Sequence, residues 1–459
     1  MCGIVAVSGL DRAAELTFLG LYALQHRGQE AVGLCAVDGT KARVYKSAGL
    51  VSEAFDEERL AQLPGRLALG HTRYSTAGGP GLYNAQPFLV RYHQGDLALA
   101  HNGNLTNGAV LRDQMVRDGA LFQSTIDSEV IVHLIARSRQ PTPDEQVAEA
   151  LSRLTGAFSV LITIGNVLYA ARDPWGFRPL VIGRKGDGYI VASETCALDL
   201  IGAEYVRDVQ PGELVRIEDG ELTTLTGPGR ANRVAPCIFE LVYFSRPDSH
   251  VFGASVDRAR RAFGRRLARE QPAEADCVFS VPDSSNSAAL GFSEESGIPF
   301  ELGLIRNHYV GRTFINPSQA ERDFRVRVKF NPVREVIEGK RVVVVDDSLV
   351  RGTTSRGLVS LIRDAGAKEI HLRIASPPVI SPCYFGIDMP TREELIGARM
   401  EIDEIAAKLG VDSLGYLSLE GMEEVVSEFG PFCNACFSGR YPAPLVDLER
   451  GREVVTACK

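Results

Sequence analysis

An α/β chain with a parallel sheet in its C-terminal half is the fold the sequence predicts, and three observations predict it. Residues 342–345 form an unbroken valine run, too short for a helix and bare of polar side chains, as in a central strand of a parallel sheet. The run ends in Asp346 and Asp347, followed by Ser348, Gly352, Thr353, Thr354 and Ser355, then by a helical pattern through Leu358, Leu361 and Ile362. Residues 277–281 repeat the scheme, running into Asp283, Ser284, Ser285, Asn286 and Ser287 ahead of a helix containing Ala288 and Ala289. A strand that enters a polar loop and then a helix puts ligand chemistry at its carboxyl end, where open α/β sheets bind ligands. At 459 residues the chain has room for two or three domains.

The loop after the valine run has a chemistry of its own. Gly352 lets the backbone approach a bulky anion, and the N–H groups of residues 352–355 open the next helix, where phosphate is welcome. The two aspartates are wrong for phosphate but suit what lies beside it, sugar hydroxyls or a bridging Mg²⁺. The loop has no Gly-Lys-Ser/Thr, which argues against an ATPase. An acidic pair at a strand end can also serve as a turn and helix cap. The stretch 341–355 resembles the phosphoribosyl pyrophosphate (PRPP) motif of type I phosphoribosyltransferases. That resemblance implies that Asp346 and Asp347 hold the ribose hydroxyls and one Mg²⁺ per subunit. It also implies that the loop, from Ser348 and Arg351 through Gly352, Thr353, Thr354 and Ser355, binds PRPP at its 5′-phosphate.

Composition narrows the class. A hydrophobic content of 45% and a charged content of 24% are ordinary for a soluble globular protein. A net charge of −8 argues against non-specific nucleic-acid binding and suits a cytoplasmic enzyme. No apolar run is long enough to span a bilayer, and the N-terminus lacks the basic start and apolar core of a signal peptide. Nine scattered cysteines do not make a secreted disulfide framework; thiol or metal chemistry in a reducing compartment fits them better.

The chain opens Met1-Cys2-Gly3-Ile4-Val5. Removal of Met1 would give Cys2 a free α-amine with a reference pKa of about 7.7–8.0. One residue would then carry both a nucleophilic thiol and its base. Cys2 could equally do no more than start a strand over residues 4–7. Polar clusters follow at the ends of strand-like segments 67–69 and 97–100, where sites are commonly built. They are Gln25-His26-Arg27-Gly28, His71-Thr72-Arg73-Tyr74-Ser75-Thr76, Asn84-Ala85-Gln86-Pro87 and His101-Asn102-Gly103. With Asp127-Ser128-Glu129, Gly156-Ala157-Phe158-Ser159 and Arg172-Asp173-Pro174-Trp175-Gly176, they resemble, in the family's order, the class II glutamine amidotransferase domain.

That resemblance implies an N-terminal-nucleophile fold, a four-layer αββα sandwich. In it Cys2 attacks the carboxamide of glutamine, and Asn102 with the Gly103 N–H forms the oxyanion hole. Arg73 would pair with the α-carboxylate of glutamine and Asp127 with its α-ammonium. On residue type alone Arg73 could be a surface ion pair and Asp127 a helix cap. His26, His71 and His101 are expected to be structural or gating groups, since Cys2 brings its own base. Relatives often carry a short propeptide; here Cys2 follows Met1, so methionine removal is expected to suffice.

Residues 206–217 read as a last strand pair broken at Pro211-Gly212, and Gly227-Pro228-Gly229 reads as a linker. Domains of residues 2–232 and 233–459 are therefore expected. Val256–Glu270 reads as a basic helix. The Arg- and Lys-rich residues 306–313 and 325–329 point, in an acidic protein, to a polyanionic ligand. So long a loop reads either as a solvated basic segment or as a lid, with Arg327 and Lys329 reaching the phosphates of PRPP. In the amidotransferase relatives, the loop at residues 282–287 holds the pyrophosphate and Ser284 lies near the metal.

Cys237, Cys383 and the pair Cys433 and Cys436 form one CxxC knuckle with two distant singletons. The pattern leaves zinc, an iron–sulfur cluster and a redox pair open, with zinc leading on residue chemistry. The placement resembles that of the iron–sulfur type of the amidophosphoribosyltransferase family, which implies one [4Fe–4S] cluster per subunit on those four residues. Cys35, Cys196 and Cys277 read as core and Cys458 as a free thiol in the tail. Residues 392–429 read as helices and a short apolar segment packed on the sheet.

Across nearly the whole chain, the resemblance implies that family's chemistry. Glutamine would be hydrolysed at Cys2 through a thioester. Ammonia would cross an internal passage and attack C1 of PRPP, giving glutamate, pyrophosphate and 5-phosphoribosylamine, the first step of purine synthesis. The resemblance also implies purine nucleotides as feedback inhibitors and a homotetramer. A PRPP-sensing regulator would need a DNA-binding module and a basic surface, and the sequence offers neither. Other class II amidotransferases share the N-terminal half but lack the loop of Asp346 and Asp347.

Overall fold

The structure is a computed structural model that describes residues 1–74, 81–308 and 326–451. Ser75, Thr76, Cys458 and most of the expected lid, residues 309–325, lie outside the described residues.

Residues 3–225 build two antiparallel sheets packed face to face. The first has seven strands, in the order Glu204–Asp208, Val181–Lys185, Gly188–Ala192, Gly3–Ser8, Leu67–Arg73, Ala31–Asp38 and Lys41–Ala48. The second has six: Glu221–Leu225, Leu214–Glu218, Val167–Arg172, Gly156–Ile164, Gly95–Leu105 and Phe88–Tyr92. Ile4, Ala6, Leu69, Ala98, Ala100 and Leu161 fill the space between them. On the outer faces, Val5 and Val7 pack under the helices Ala13–Ala23 and Thr195–Ile201. Leu97 and Leu99 pack under Ser128–Arg137 and Pro143–Ser152. Both faces of each central strand are thus covered, which explains why these strands are apolar at consecutive positions rather than alternating. The expected αββα sandwich is present.

Two details differ from expectation. Glu204–Asp208 and Leu214–Glu218 do flank Pro211 and Gly212, but they are not a pair. The first joins Val181–Lys185 in one sheet and the second joins Val167–Arg172 in the other. Proline cannot donate to a ladder and Gly212 has φ +74°, so the corner carries the chain between layers instead of turning a hairpin. The clusters around His71 and His101 also lie inside strands rather than in loops after them, because Leu67–Arg73 and Gly95–Leu105 run on through them.

The C-terminal half holds a four-stranded parallel sheet in the order Cys277–Ser280, Arg341–Asp346, Glu369–Ile374, Ser413–Tyr416. The period of two in the valine run assigns its faces. Val343 and Val345 pack with the helices Val256–Glu270 and Asn286–Ser296, while Val342 and Val344 pack with Thr353–Asp364 and Ile402–Leu409. Each such valine contributes about 1.5–3 kcal/mol by leaving water. The short apolar segment expected within residues 392–429 is the fourth strand, Ser413–Tyr416. Val256–Glu270 is a helix with the expected ends.

Candidate active sites and a cysteine centre

Cys2 is buried at the head of the strand Gly3–Ser8, beside Leu67–Arg73. Its backbone N–H donates to Asn102 Oδ1 at 3.2 Å, its thiol faces the Tyr74 carbonyl at 3.5 Å, and its carbonyl accepts from Arg27 Nε at 3.0 Å. The Nδ2 of Asn102 is buried without a hydrogen-bond partner. An orphaned buried donor costs free energy unless a ligand satisfies it, and this one belongs to the side chain that holds the Cys2 nitrogen. Gly103 admits no side chain: a Cβ there would lie 2.1 Å from the Ala157 carbonyl oxygen. Burial pushes the Cys2 thiol up, against the pull of Arg73 and Arg27, so the sulfur is protonated at rest and needs a base.

Arg73, Asp127, His71, His101 and Gly103 line one pocket with Cys2. Arg73 is 3% exposed, which removes the surface-pair reading. Asp127 precedes the helix Ser128–Arg137 without capping it; its Oδ2 accepts instead from the Leu105 N–H at 2.7 Å. His101 is held between Ser128 Oγ (2.8 Å) and the Ala157 carbonyl (3.3 Å), a structural arrangement that assigns its proton to Nε2. Both ring nitrogens of His71 are buried without partners, and burial, with the charge of Arg73, pushes its pKa down to about 3. Neither histidine is a resting cation.

At the second site the two polar loops meet. Asp347 Oδ2 accepts from Ser284 Oγ at 2.6 Å, its Oδ1 accepts from Ser348 Oγ at 2.6 Å, and Asp346 Oδ1 accepts from Ser285 Oγ at 3.2 Å. The acidic pair does not cap the next helix; Gly352, at φ +76°, is the residue that enters it. Burial raises both carboxyls, and Asp346 is raised further by the charge of Asp347, so the pair resists carrying two charges by itself. A hard cation would relieve that cost. Two carboxylates and serine hydroxyls are oxygen donors of the kind Mg²⁺ takes alongside substrate phosphates, so the residues fit it. Thr353 and Thr354 are exposed, and Ser355 is buried. Arg351 is engaged by Glu394 at 3.3 Å and Arg327 by Asp364 at 3.3 Å, yet both line one cavity with Gly352 and Thr353. The Lys329 carbonyl accepts from the Asn307 N–H, and its side chain is exposed.

The four expected cysteines come together where the two halves meet. Cys237 bridges to Cys433 backbone to backbone, and all four are free thiols. Burial and the other three sulfurs raise Cys436, so the quartet lies within mutual electrostatic reach. Among the described residues no three Cys, His, Asp or Glu side chains converge on a single ion. A cubane asks for something else, because each cysteine binds a different iron. Four unpaired, mutually close, largely buried thiols fit such a group.

Residues given no role by the sequence join these centres. Arg27 is bound to Glu194 (2.5 Å) and Glu240 (2.9 Å). Arg178 donates to the Phe385 carbonyl through Nε (3.0 Å) and Nη2 (2.6 Å). Burial alone would raise Glu240, but Arg27 and Arg178 hold its carboxyl below the usual range. Tyr74, beside Cys2, makes an edge contact with Phe244 at 6.4 Å. The neighbouring Tyr243 hydroxyl is pushed up to about 12 by burial and by Asp347.

A nucleophile-headed αββα sandwich joined to a parallel sheet with an acidic loop defines a glutamine amidotransferase fused to a phosphoribosyltransferase-like unit. Comparison with known proteins agrees. A glutamine amidotransferase domain family matches residues 71–200. The amidophosphoribosyltransferases of Methanocaldococcus jannaschii and Bacillus subtilis are 48% and 49% identical, covering 99% and 97% of this chain and 100% and 94% of theirs. A solved structure of the B. subtilis glutamine PRPP amidotransferase complexed with ADP and GMP is 47% identical. It has a TM-score of 0.90 and covers 97% of this chain and 98% of that one. The chain belongs to the amidophosphoribosyltransferase family.

Proposed function

We propose that the chain transfers the amide nitrogen of glutamine to C1 of PRPP, making 5-phosphoribosylamine, glutamate and pyrophosphate as the first step of purine synthesis. One observation carries the reading: a single chain holds a Cys2 pocket and an Asp346–Asp347 loop, with Tyr74, Phe244 and Tyr243 between them.

With Met1 removed, the Cys2 α-amine takes the thiol proton and the sulfur adds to the glutamine carboxamide carbon. The oxyanion that forms is met by Asn102 Nδ2 and the Gly103 N–H, each worth about 3–4 kcal/mol in acyl transfer. Arg73 suits a bidentate grip on the α-carboxylate, and Asp127 suits the α-ammonium. The amine returns the proton to the leaving ammonia, and water releases glutamate from the thioester. Ammonia passes the aromatic seam and attacks C1, breaking the bond to pyrophosphate. Asp346 and Asp347 steady the ribose hydroxyls, and Ser348, Gly352, Thr353, Thr354 and Ser355 receive the 5′-phosphate. Arg351, Arg327 and Lys329 supply positive charge near the phosphates. Mg²⁺, held by Ser284, Asp346 and Asp347, would supply charge neutralisation for the diphosphate.

Cys237, Cys383, Cys433 and Cys436 would hold a [4Fe–4S] cluster that ties the halves together. The last strand of the sandwich ends at Leu225 and the first cysteine of the quartet is Cys237, which supports domains of residues 2–232 and 233–459. The ADP- and GMP-bound relative supports purine nucleotides as inhibitors. A cytoplasmic homotetramer completes the proposal; among the described residues no helix is long and apolar enough to cross a membrane. Glutamine labelled with ¹⁵N at the amide tests the transfer: the label must appear at C1 of the product.

A further inference from the structure

Residues 383–386 run from the cysteine quartet to the wall of the Cys2 pocket. At the far end Gly386 lies against the Cα and carbonyl of Gly103. A Cβ on Gly386 would sit 2.9 Å from the Gly103 carbonyl carbon and 3.1 Å from both its Cα and its oxygen. No side chain separates the two backbones. The contact is clamped on either side. Asn104 Nδ2 donates to the Tyr384 carbonyl at 3.0 Å, and Arg178 donates twice to the Phe385 carbonyl. The Phe385 ring stacks on Phe177 at 4.2 Å with planes 16° apart. Gly103 also has little room to shift, because a Cβ on it would lie 2.1 Å from the Ala157 carbonyl oxygen. It is therefore held both by the strand Gly156–Ile164, with which it pairs, and by a strap anchored at Cys383.

We propose that Gly386 is a positioning residue for glutamine hydrolysis, holding the Cα and carbonyl of Gly103 and, through that Cα, its N–H at the angle the oxyanion needs. The inference rests on the proposed glutaminase role of Cys2. An oxyanion donor works only when aimed within a few tenths of an ångström, so a backbone that fixes its peptide acts on rate rather than on substrate affinity. Gly386 also has φ +104°, so a side chain there is both strained and in collision.

The test compares the wild-type holoprotein with Gly386→Ala and, as a milder loosening of the strap, Asn104→Ala. The expected result for Gly386→Ala is a kcat for glutamine hydrolysis lower by at least about tenfold. The KM for glutamine, the metal content and the ammonia-dependent synthesis should all stay within about twofold. Asn104→Ala should shift the same quantity in the same direction by less. Mass spectrometry gives a second readout. Alkylation of Cys2 by a chloroketone analogue of glutamine, which passes through an oxyanion, should slow in Gly386→Ala, while alkylation by iodoacetamide, which does not, should keep its rate. An unchanged kcat, equal falls in glutamine- and ammonia-dependent rates, or equal slowing of both alkylations would overturn the strap. A wild-type chain inert towards glutamine would instead overturn the glutaminase reading beneath it.

Discussion

Arg27 and Glu240 are locked together by two hydrogen bonds, Nη1 to Oε2 at 3.0 Å and Nη2 to Oε1 at 2.9 Å, with neither residue exposed. They stand 213 positions apart, one in the sandwich and one at the start of the C-terminal half. Because Arg27 also holds the Cys2 carbonyl, the pair ties the nucleophile to the other half of the protein. Removing one partner of a buried pair costs about 3–5 kcal/mol when it strands the other charge, and less here because Arg27 keeps Glu194. Glu240→Gln should lower stability to urea by less than that. Combining it with Arg27→Met should cost less than the sum of the two single changes. A double variant no better than the sum of the singles would show that the pair is not coupled.

Cys2→Ala should abolish glutamine-dependent synthesis and keep ammonia-dependent synthesis within about threefold, since the second site does not use the thiol. Loss of both activities would argue against separable sites.

Asp347→Asn removes one charge from the pair and a strong acceptor from Ser284 and Ser348. Ammonia- and glutamine-dependent synthesis should both fall by at least about a hundredfold. Calorimetry should show weaker Mg²⁺ binding in the presence of PRPP. Unaltered Mg²⁺ binding would remove Asp347 from the metal site.

His71 sets a pH dependence. Its folded pKa, about 3, lies below the roughly 6.5 of an unfolded histidine, so between these values the unfolded chain binds the extra proton. The stability it contributes is fully present above about pH 6.5 and is lost as pH falls towards 3, at up to about 1.4 kcal/mol per pH unit. Urea unfolding of His71→Gln at pH 7, 6 and 5 should show a slope shallower by up to one proton. An unchanged slope would mean that His71 titrates normally.

The cysteine quartet predicts colour. Protein purified without air should be brown, with broad visible absorption and iron and sulfide in equal amounts. Cys383→Ser should lower both together. A colourless protein with stoichiometric zinc would contradict the cluster.

What the sequence made legible was local. Residues 342–345 announced a buried strand because four valines admit no other covered arrangement, and the polar residues after them had to be a loop at its carboxyl end. The role proposed for Cys2 starts from the sequence, because with Met1 removed thiol and amine would share one residue. Arg27 stood in one of the polar clusters, but its pairing with Glu240, and that of Glu240 with Arg178, was not legible, since a buried charge pair leaves no periodicity and its partners lie far apart in sequence. Gly386 carries no signal of its own in the sequence, because its close approach to Gly103 is made across the fold. The segments on either side of Pro211 looked like a hairpin because sequence spacing cannot say that two adjacent strands enter different sheets.

If glutamine hydrolysis serves PRPP, glutamate must form with PRPP and Mg²⁺ and not with another sugar phosphate. The rate of glutamate formation from glutamine with PRPP and Mg²⁺, set against the rate with fructose 6-phosphate, tests this coupling. Glutamate should depend on PRPP and appear with one pyrophosphate per glutamate. Glutamate formed with fructose 6-phosphate and not with PRPP would contradict it.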